Sequence, residues 1–144
     1  MYKAIIKPLL FKLNPEKAHY FTFDLMKIAF GHALGRFFGK LCFSYNDPKL
    51  KKELFGLTFD NPIGLAAGLD KDATHFNEFS CLGFGFVEIG TLTPKAQPGN
   101  DKPRLFRLPN DNALINRMGF NNKGVDDAVI RLKNRKTKTI IGGN

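Results

Sequence analysis

From residue 53 to residue 144, short apolar runs of β character alternate with glycine turns and helical stretches, and this alternation restricts the fold more than any other feature. Residues 63–67, 84–91 (FGFVEIGT) and 139–143 are the clearest strand candidates, and the second has the composition of a buried parallel strand. Between them, residues 72–82 are predicted to be helical with Phe76 and Phe79 inward. Residues 124–134 form a second predicted helix, with Val125, Ala128, Val129 and Leu132 on one stripe. Strand, helix, strand, helix, strand is the order of an α/β chain with a parallel sheet and crossover connections. Three additions interrupt that order. Strand-like runs at 53–57 and 58–65 turn around Gly56 and Asn61-Pro62, a long loop covers 94–103, and a hairpin is predicted over 104–116 around 109–112.

The first 45 residues are composed differently. They are aromatic, aliphatic and basic, and the change falls near residue 45. Tyr2, Ile5, Ile6, Leu9, Leu10 and Leu13 recur at helical spacing, with Lys3, Lys7 and Lys12 off the stripe and Pro8 either kinking the helix or sitting in its first turn. Asn14-Pro15 reads as the cap and first residue of a second helix that runs to Gly31, with Glu16 favourable in its first turn. Ala18, Phe21, Leu25, Ile28 and Ala29 are its predicted inner face, widened by Phe23, Met26 and Phe30. A third helix is predicted over 33–42, carrying Leu34, Phe37, Phe38 and Leu41. These helices hold more apolar surface than a helical hairpin buries internally. Two readings follow: ordinary packing against the region after residue 45, or a basic amphipathic module lying on a membrane surface.

Charge bears on that choice. The chain carries a net +9, a balance that attracts nucleic acid, an anionic membrane surface or an anionic ligand. Residues 1–43 set seven cations against Glu16 and Asp24, a balance of +5, and the acid-free basic run at 131–138 reads as a solvated helix end. No stretch approaches the roughly 18–20 uninterrupted apolar residues of a spanning helix. Lys7, Pro8 and Lys12 break up any secretory signal, and the basic start can mimic a mitochondrial presequence. Cys42 and Cys81 have no metal-ligand spacing and read as free thiols in a reducing compartment. No metal site is expected.

Candidate chemistry gathers where the predicted strands end. Ala67-Gly68-Leu69-Asp70-Lys71, Thr91-Leu92-Thr93-Pro94 and Asn144 each follow a strand, the place where α/β folds bind ligands. The segment Asn116-Arg117-Met118-Gly119-Phe120-Asn121-Asn122 puts three amides, a guanidinium and a glycine in seven residues. Amides present donors and acceptors together and suit a heterocycle with alternating N–H and C=O groups, although capping asparagines in a turn would look the same.

GLAAGLDKD (64–72), FGFVEIGTLTPKAQPGNDKPRLFRL (84–108) and INRMGFNNKG (115–124) resemble signature stretches of the dihydroorotate dehydrogenases. Asn14-Pro15-Glu16-Lys17-Ala18-His19 resembles the start of the second helix in the quinone-dependent, membrane-associated class 2. The resemblance runs over almost the whole chain with its spacing kept. It implies a TIM barrel of β/α units holding FMN, preceded by a helical extension. Residues 1–45 would be that extension, giving membrane contact and quinone access. Residues 46–144 would be the first part of the barrel, about three βα units. The implied activity is oxidation of dihydroorotate to orotate in pyrimidine biosynthesis, with a quinone as electron acceptor and no nucleic-acid partner. By the same resemblance, Ala67 to Lys71 and Thr91 line the flavin, as does Asn144. Lys71 also meets the substrate, Asn116 to Phe120 form the substrate loop, and His19 and Arg107 stand at the quinone end. A lysine beside the flavin N1/C2=O edge favours the anionic reduced ring.

The chain departs from the family pattern by stopping at Asn144. A barrel takes roughly 250 residues and eight strands, with its phosphate site after the seventh and eighth. The base of the quinone class is a serine further along, and neither Ser44 nor Ser80 matches it. Residues 1–144 alone are therefore expected to be inactive, with the rest of the barrel supplied by a longer protein. The implied location is peripheral, on the cytoplasmic face of a bacterial membrane. The alternatives are a soluble dihydroorotate dehydrogenase using fumarate or NAD, which the helices at 1–43 argue against, and a non-catalytic membrane-binding module.

Overall fold

A computed structural model describes residues 2–144. The chain opens with a π-helical turn, Tyr2–Ile6, that continues as helix α1, Lys7–Phe11, with Pro8 in its first turn. The stripe at 2–13 is thus two short helical pieces. Helix α2, Pro15–Phe30, starts where Asn14 Oδ1 accepts from the Glu16 amide at 3.0 Å, and Gly31 ends it. Helix α3 is Ala33–Phe43, capped by His32 Nδ1, which accepts from the Gly35 amide.

After a 3-10 turn at Pro48–Leu50, strands β1, Lys52–Leu54, and β2, Leu57–Phe59, pair as an antiparallel hairpin. Next come β3, Gly64–Leu65; helix α4, Phe76–Phe79; and β4, Phe86–Ile89. Strands β5, Leu105–Leu108, and β6, Ala113–Asn116, form the predicted second hairpin, turning where Asn112 takes a left-handed conformation. Helix α5, Val125–Lys133, and strand β7, Ile140–Gly143, complete the chain. Strands β3, β4 and β7 make one parallel sheet in that order, so each βα crossover lays its strand beside the one before.

Val87 and Ile89 of β4 point to the core, where they meet Phe76, Phe79, Ala73, Ala128 and Phe23 of α2. Each fully buried phenylalanine here contributes on the order of 1.5–3 kcal/mol by transfer from water. Three expectations need correction. Helix α4 begins four residues later than predicted, because the Asp70 carboxylate takes the amides of Thr74 at 2.7 Å and His75 at 2.9 Å. Ala73 is consequently held at a positive φ of 54°, incompatible with a helix. On α2 the buried side is Ala18 and Phe23 with Met26 packed beside them, whereas Phe21, Leu25 and Ile28 face outward. On α5 only Ala128 is buried, and Val125 and Val129 remain exposed.

Packing against the following region therefore uses one side of α2. The opposite apolar surface stays open: Ile28 is 72% exposed, Leu41 68% and Leu34 62%. Among the described residues no helix is long and apolar enough to cross a membrane.

Candidate functional site

The carboxyl ends of the three parallel strands are tied side by side. The Gly68 amide donates to Gly90 O at 2.8 Å, the Asn144 amide to Ile89 O at 3.0 Å, and the Leu92 amide to Asn144 O at 2.8 Å. Gly90 has φ +107°, and a Cβ there would lie 2.4 Å from Asn144 O, so only glycine admits this approach. The Thr91 hydroxyl donates to Asn144 Oδ1, and Asn144 Nδ2 donates to Glu88 Oε1 at 3.2 Å. The Ala67 amide reaches Glu88 Oε2 at 3.4 Å. Three residues expected at the flavin, Ala67, Thr91 and Asn144, thus meet around Glu88. Glu88 lies on the face of β4 opposite Val87 and Ile89. Nothing in the sequence marked it beyond its place inside an apolar strand.

Beside this rim opens a cavity of about 1070 Å³. Gly68, Leu69, Asp70, Lys71, Asn116, Met118, His19 and Arg107 all contribute to its lining. Phe11, Phe23, Leu105, Leu108 and Leu114 add apolar surface to the same lining. Sequence positions spread over more than a hundred residues are therefore brought into one space. Arg117, Gly119 and Phe120 are outside the lining. The Arg117 guanidinium sits over the Phe106 ring, the Arg117 amide binds Arg104 O, and Phe120 is 63% exposed.

Lys71 Nζ donates to Asn121 Oδ1 at 2.7 Å. Burial pushes its pKa below the ordinary lysine value, and the nearby Arg104 charge adds to that. Asn121 also lines the cavity, and in the sequence it stood only as one amide among three. Asn122, its neighbour, is structural: its buried amide holds the Thr93 and Gly124 amides and the Phe120 carbonyl. Asp70 contributes to the same lining. Asp70 is 1% exposed as a residue, and its carboxylate is committed to Thr74 and His75.

His19 packs with its ring centroid 4.1 Å from that of Phe23, which lies 4.5 Å from the His75 ring. Burial, reinforced by His75, pushes the His19 pKa down, so its ring is neutral at neutral pH. His75 Nδ1 pairs with the Thr74 hydroxyl at 2.8 Å, and its buried Nε2 has no partner among the described residues. Arg107 Nη1 donates to Leu13 O at 2.6 Å and Phe11 O at 3.3 Å, and its guanidinium covers the Phe11 ring at 4.3 Å. It thereby anchors the end of α1 to the β5–β6 hairpin. Cys42 is exposed and Cys81 buried, both as free thiols. Among the described residues, no cluster of three metal-ligating side chains occurs.

Parallel strands whose polar ends face a common rim, with a helical segment placed before them, define the opening part of a β/α-barrel enzyme. The chain belongs to the dihydroorotate dehydrogenase family, whose profile matches residues 49–142. It is 56% identical over its whole length to the dihydroorotate dehydrogenase (quinone) of Christiangramia forsetii, covering 42% of that protein. The protein of the same name from Cellvibrio japonicus is 51% identical over 96% of this chain and is covered to 39%. Among solved structures, DHODH of Eimeria tenella in complex with ferulenol matches 90% of this chain at 42% identity with TM-score 0.67, over 35% of its own length. The ligand-free form matches with TM-score 0.66. The chain thus spans about two fifths of the curated relatives it matches.

Proposed function

We propose that the protein to which these residues belong oxidises dihydroorotate to orotate with FMN and passes the electrons to a quinone. The observation that carries this reading is one cavity whose lining combines a cation and amides at Lys71, Asn121 and Asn116 with His19, Arg107 and several apolar side chains. Residues 1–45 act as the helical extension for membrane contact and quinone access, and 46–144 as the first part of the FMN barrel. Names of relatives at 49–56% identity support the quinone class over the soluble forms that use fumarate or NAD.

The residues fit a flavin. Thr91, Asn144 and Lys71 offer a hydroxyl, an amide and an ammonium, matching the alternating groups of the isoalloxazine pyrimidine edge. A Cβ built at Gly68 or Gly143 meets nothing within 4 Å, which leaves room for a flat ring at the strand ends. When bound, FMN supplies a two-electron acceptor for the substrate and a donor to the quinone. Lys71 contributes positive charge toward the orotate anion, with Asn121 fixing its direction. Asn116 and Met118 shape the substrate side. Arg117, Gly119 and Phe120 support that loop from behind. His19 and Arg107 orient the quinone head, and the apolar walls between the ends exclude water. The open faces of α2 and α3, with the basic balance around them, rest on the cytoplasmic surface of a bacterial membrane.

The test uses the full-length protein. Dihydroorotate added anaerobically should bleach the flavin absorbance, and a soluble quinone should restore it at least tenfold faster than fumarate or NAD, on the order of 1.4 kcal/mol in barrier. Restoration by fumarate or NAD at the quinone rate would overturn the acceptor, and absence of bleaching would overturn the substrate.

A further inference from the structure

Glu16 and Arg104 have no part in the roles above, yet they form a buried ion pair between residues 88 positions apart. Both side chains are 6% exposed. Arg104 Nη2 donates to Glu16 Oε1 at 2.8 Å and Nε donates to Oε2 at 3.3 Å, a fork on a fork. The remaining nitrogen turns into the loop before β5, where Nη1 donates to Pro98 O at 2.9 Å and Asn100 O at 3.1 Å. Asn100 continues the connection. Its amide donates to Met118 O at 2.9 Å and its side chain to Arg117 O at 2.7 Å, while the Arg117 amide returns to Arg104 O at 3.0 Å. The fit leaves no slack: at Gly99, with φ +74°, a Cβ would lie 2.3 Å from Met118 O and 3.0 Å from Arg104 Nη1.

A continuous set of polar contacts therefore runs from the first turn of α2 to the loop that carries Asn116 and Met118. His19 lies on the same helix, one turn further along. Burying two charges is costly, and a well-packed apolar pair of similar volume would join these elements at least as firmly. The fork-on-fork pair supplies fixed register in addition. Arg104 holds the Glu16 carboxyl below the usual carboxylate range, so the pair stays ionised at neutral pH.

The geometry points to Glu16 and Arg104 as positioning residues that hold the substrate loop in register with α2, so that a side chain at the acceptor end of the molecule sets orotate affinity at the other end. This rests on the orotate reading of the cavity. Lys102 provides the control, since its Nζ lies 3.3 Å from Glu16 Oε1 but its side chain is 65% exposed.

The experiment compares Glu16→Gln, Arg104→Met, the double variant and Lys102→Met in the full-length flavoprotein. Orotate dissociation constants, melting temperatures and amide exchange at Asn100 and Arg117 are measured in each. Both single variants should melt lower and bind orotate about tenfold more weakly, the scale of one buried charge-assisted contact. In the double variant no unpaired charge remains buried, so its melting temperature should recover while orotate binding stays about tenfold weak and both amides exchange faster. Lys102→Met should keep the orotate constant within about twofold. Wild-type orotate affinity in the double variant, or unchanged exchange at both amides, would reduce the pair to a structural bond and overturn the inference. A wild-type enzyme that binds no orotate would refute the functional reading instead, and the exchange data would still decide whether the pair holds the loop.

Discussion

Val87 on β4 is fully buried, whereas Ile28 on α2 is 72% exposed, although both stand in strongly apolar stretches. The sheet region turns its apolar residues toward one another, in Val87, Ile89, Phe76, Phe79 and Ala128. The helical region sends chiefly Phe23 and Ala18 into the interior and leaves Leu34, Phe37, Leu41 and Ile28 outside. One region derives its order from its own core, and the other from a few anchors: Phe23 in that core, Glu16 on Arg104, and the α1 carbonyls on Arg107. Apolar surface left open beside basic charge suits an interface whose other side is not this chain.

The sharpest way to break this contrast is to truncate one side chain in each region of the full-length protein. Phe76→Ala should cost about 3–5 kcal/mol of stability, while Ile28→Ala should change it by less than about 0.5 kcal/mol. Urea unfolding of both variants checks this, and comparable losses would mean that the helices are packed as the sheet is.

Much of this contrast is legible in the residues. Asn14, Pro15 and Gly31 mark the ends of α2 because caps and turns are local, and the hairpin at 104–116 follows from Pro109 and Asn112 in the same way. The inner face of α2 is less legible. Its apolar residues cover most of the circumference, so periodicity alone does not choose Phe23 over Phe21. The start of α4 was lost to a side chain, since only the folded position of Asp70 delivers its carboxylate to Thr74 and His75. Of the candidate site, the strand-end residues and the asparagine loop were visible as patterns. Lys71 with Asn121 and Glu16 with Arg104 were not, because contacts 50 and 88 residues apart have no local period.

Smaller effects test the two ends of the cavity separately. Asn116→Ala should weaken orotate binding by roughly 1–3 kcal/mol with FMN content unchanged, as an equilibrium titration would reveal. Arg107→Ala releases the α1 carbonyls and should raise the quinone KM about tenfold, about 1.4 kcal/mol, without moving the orotate constant. An equal shift in both constants would mean that Arg107, like Glu16 and Arg104, also acts on the substrate loop.

Lys71 gives the pH dependence. If orotate binds through the Lys71 ammonium, as proposed, affinity follows that charge; burial lowers its pKa, so the charge is present at lower pH and lost as pH rises. Orotate affinity should therefore decline on the alkaline side, beginning below the ordinary lysine value of about 10.4. Lys71→Arg, always charged, should flatten that limb. A Lys71→Arg profile identical to wild type would remove Lys71 as its cause.

The division of labour between the regions is tested most directly by charging the open helical face. Deleting the helices would also take Phe23 from the core and Glu16 from Arg104, so Ile28→Glu with Leu41→Glu in the full-length protein is the cleaner change. Anaerobic flavin bleaching by dihydroorotate and reduction of quinone held in anionic vesicles are measured on the same preparation. Bleaching should proceed at the wild-type rate while vesicle binding and vesicle quinone reduction are lost. Wild-type quinone reduction from vesicles, or bleaching that falls in parallel with it, would contradict the account.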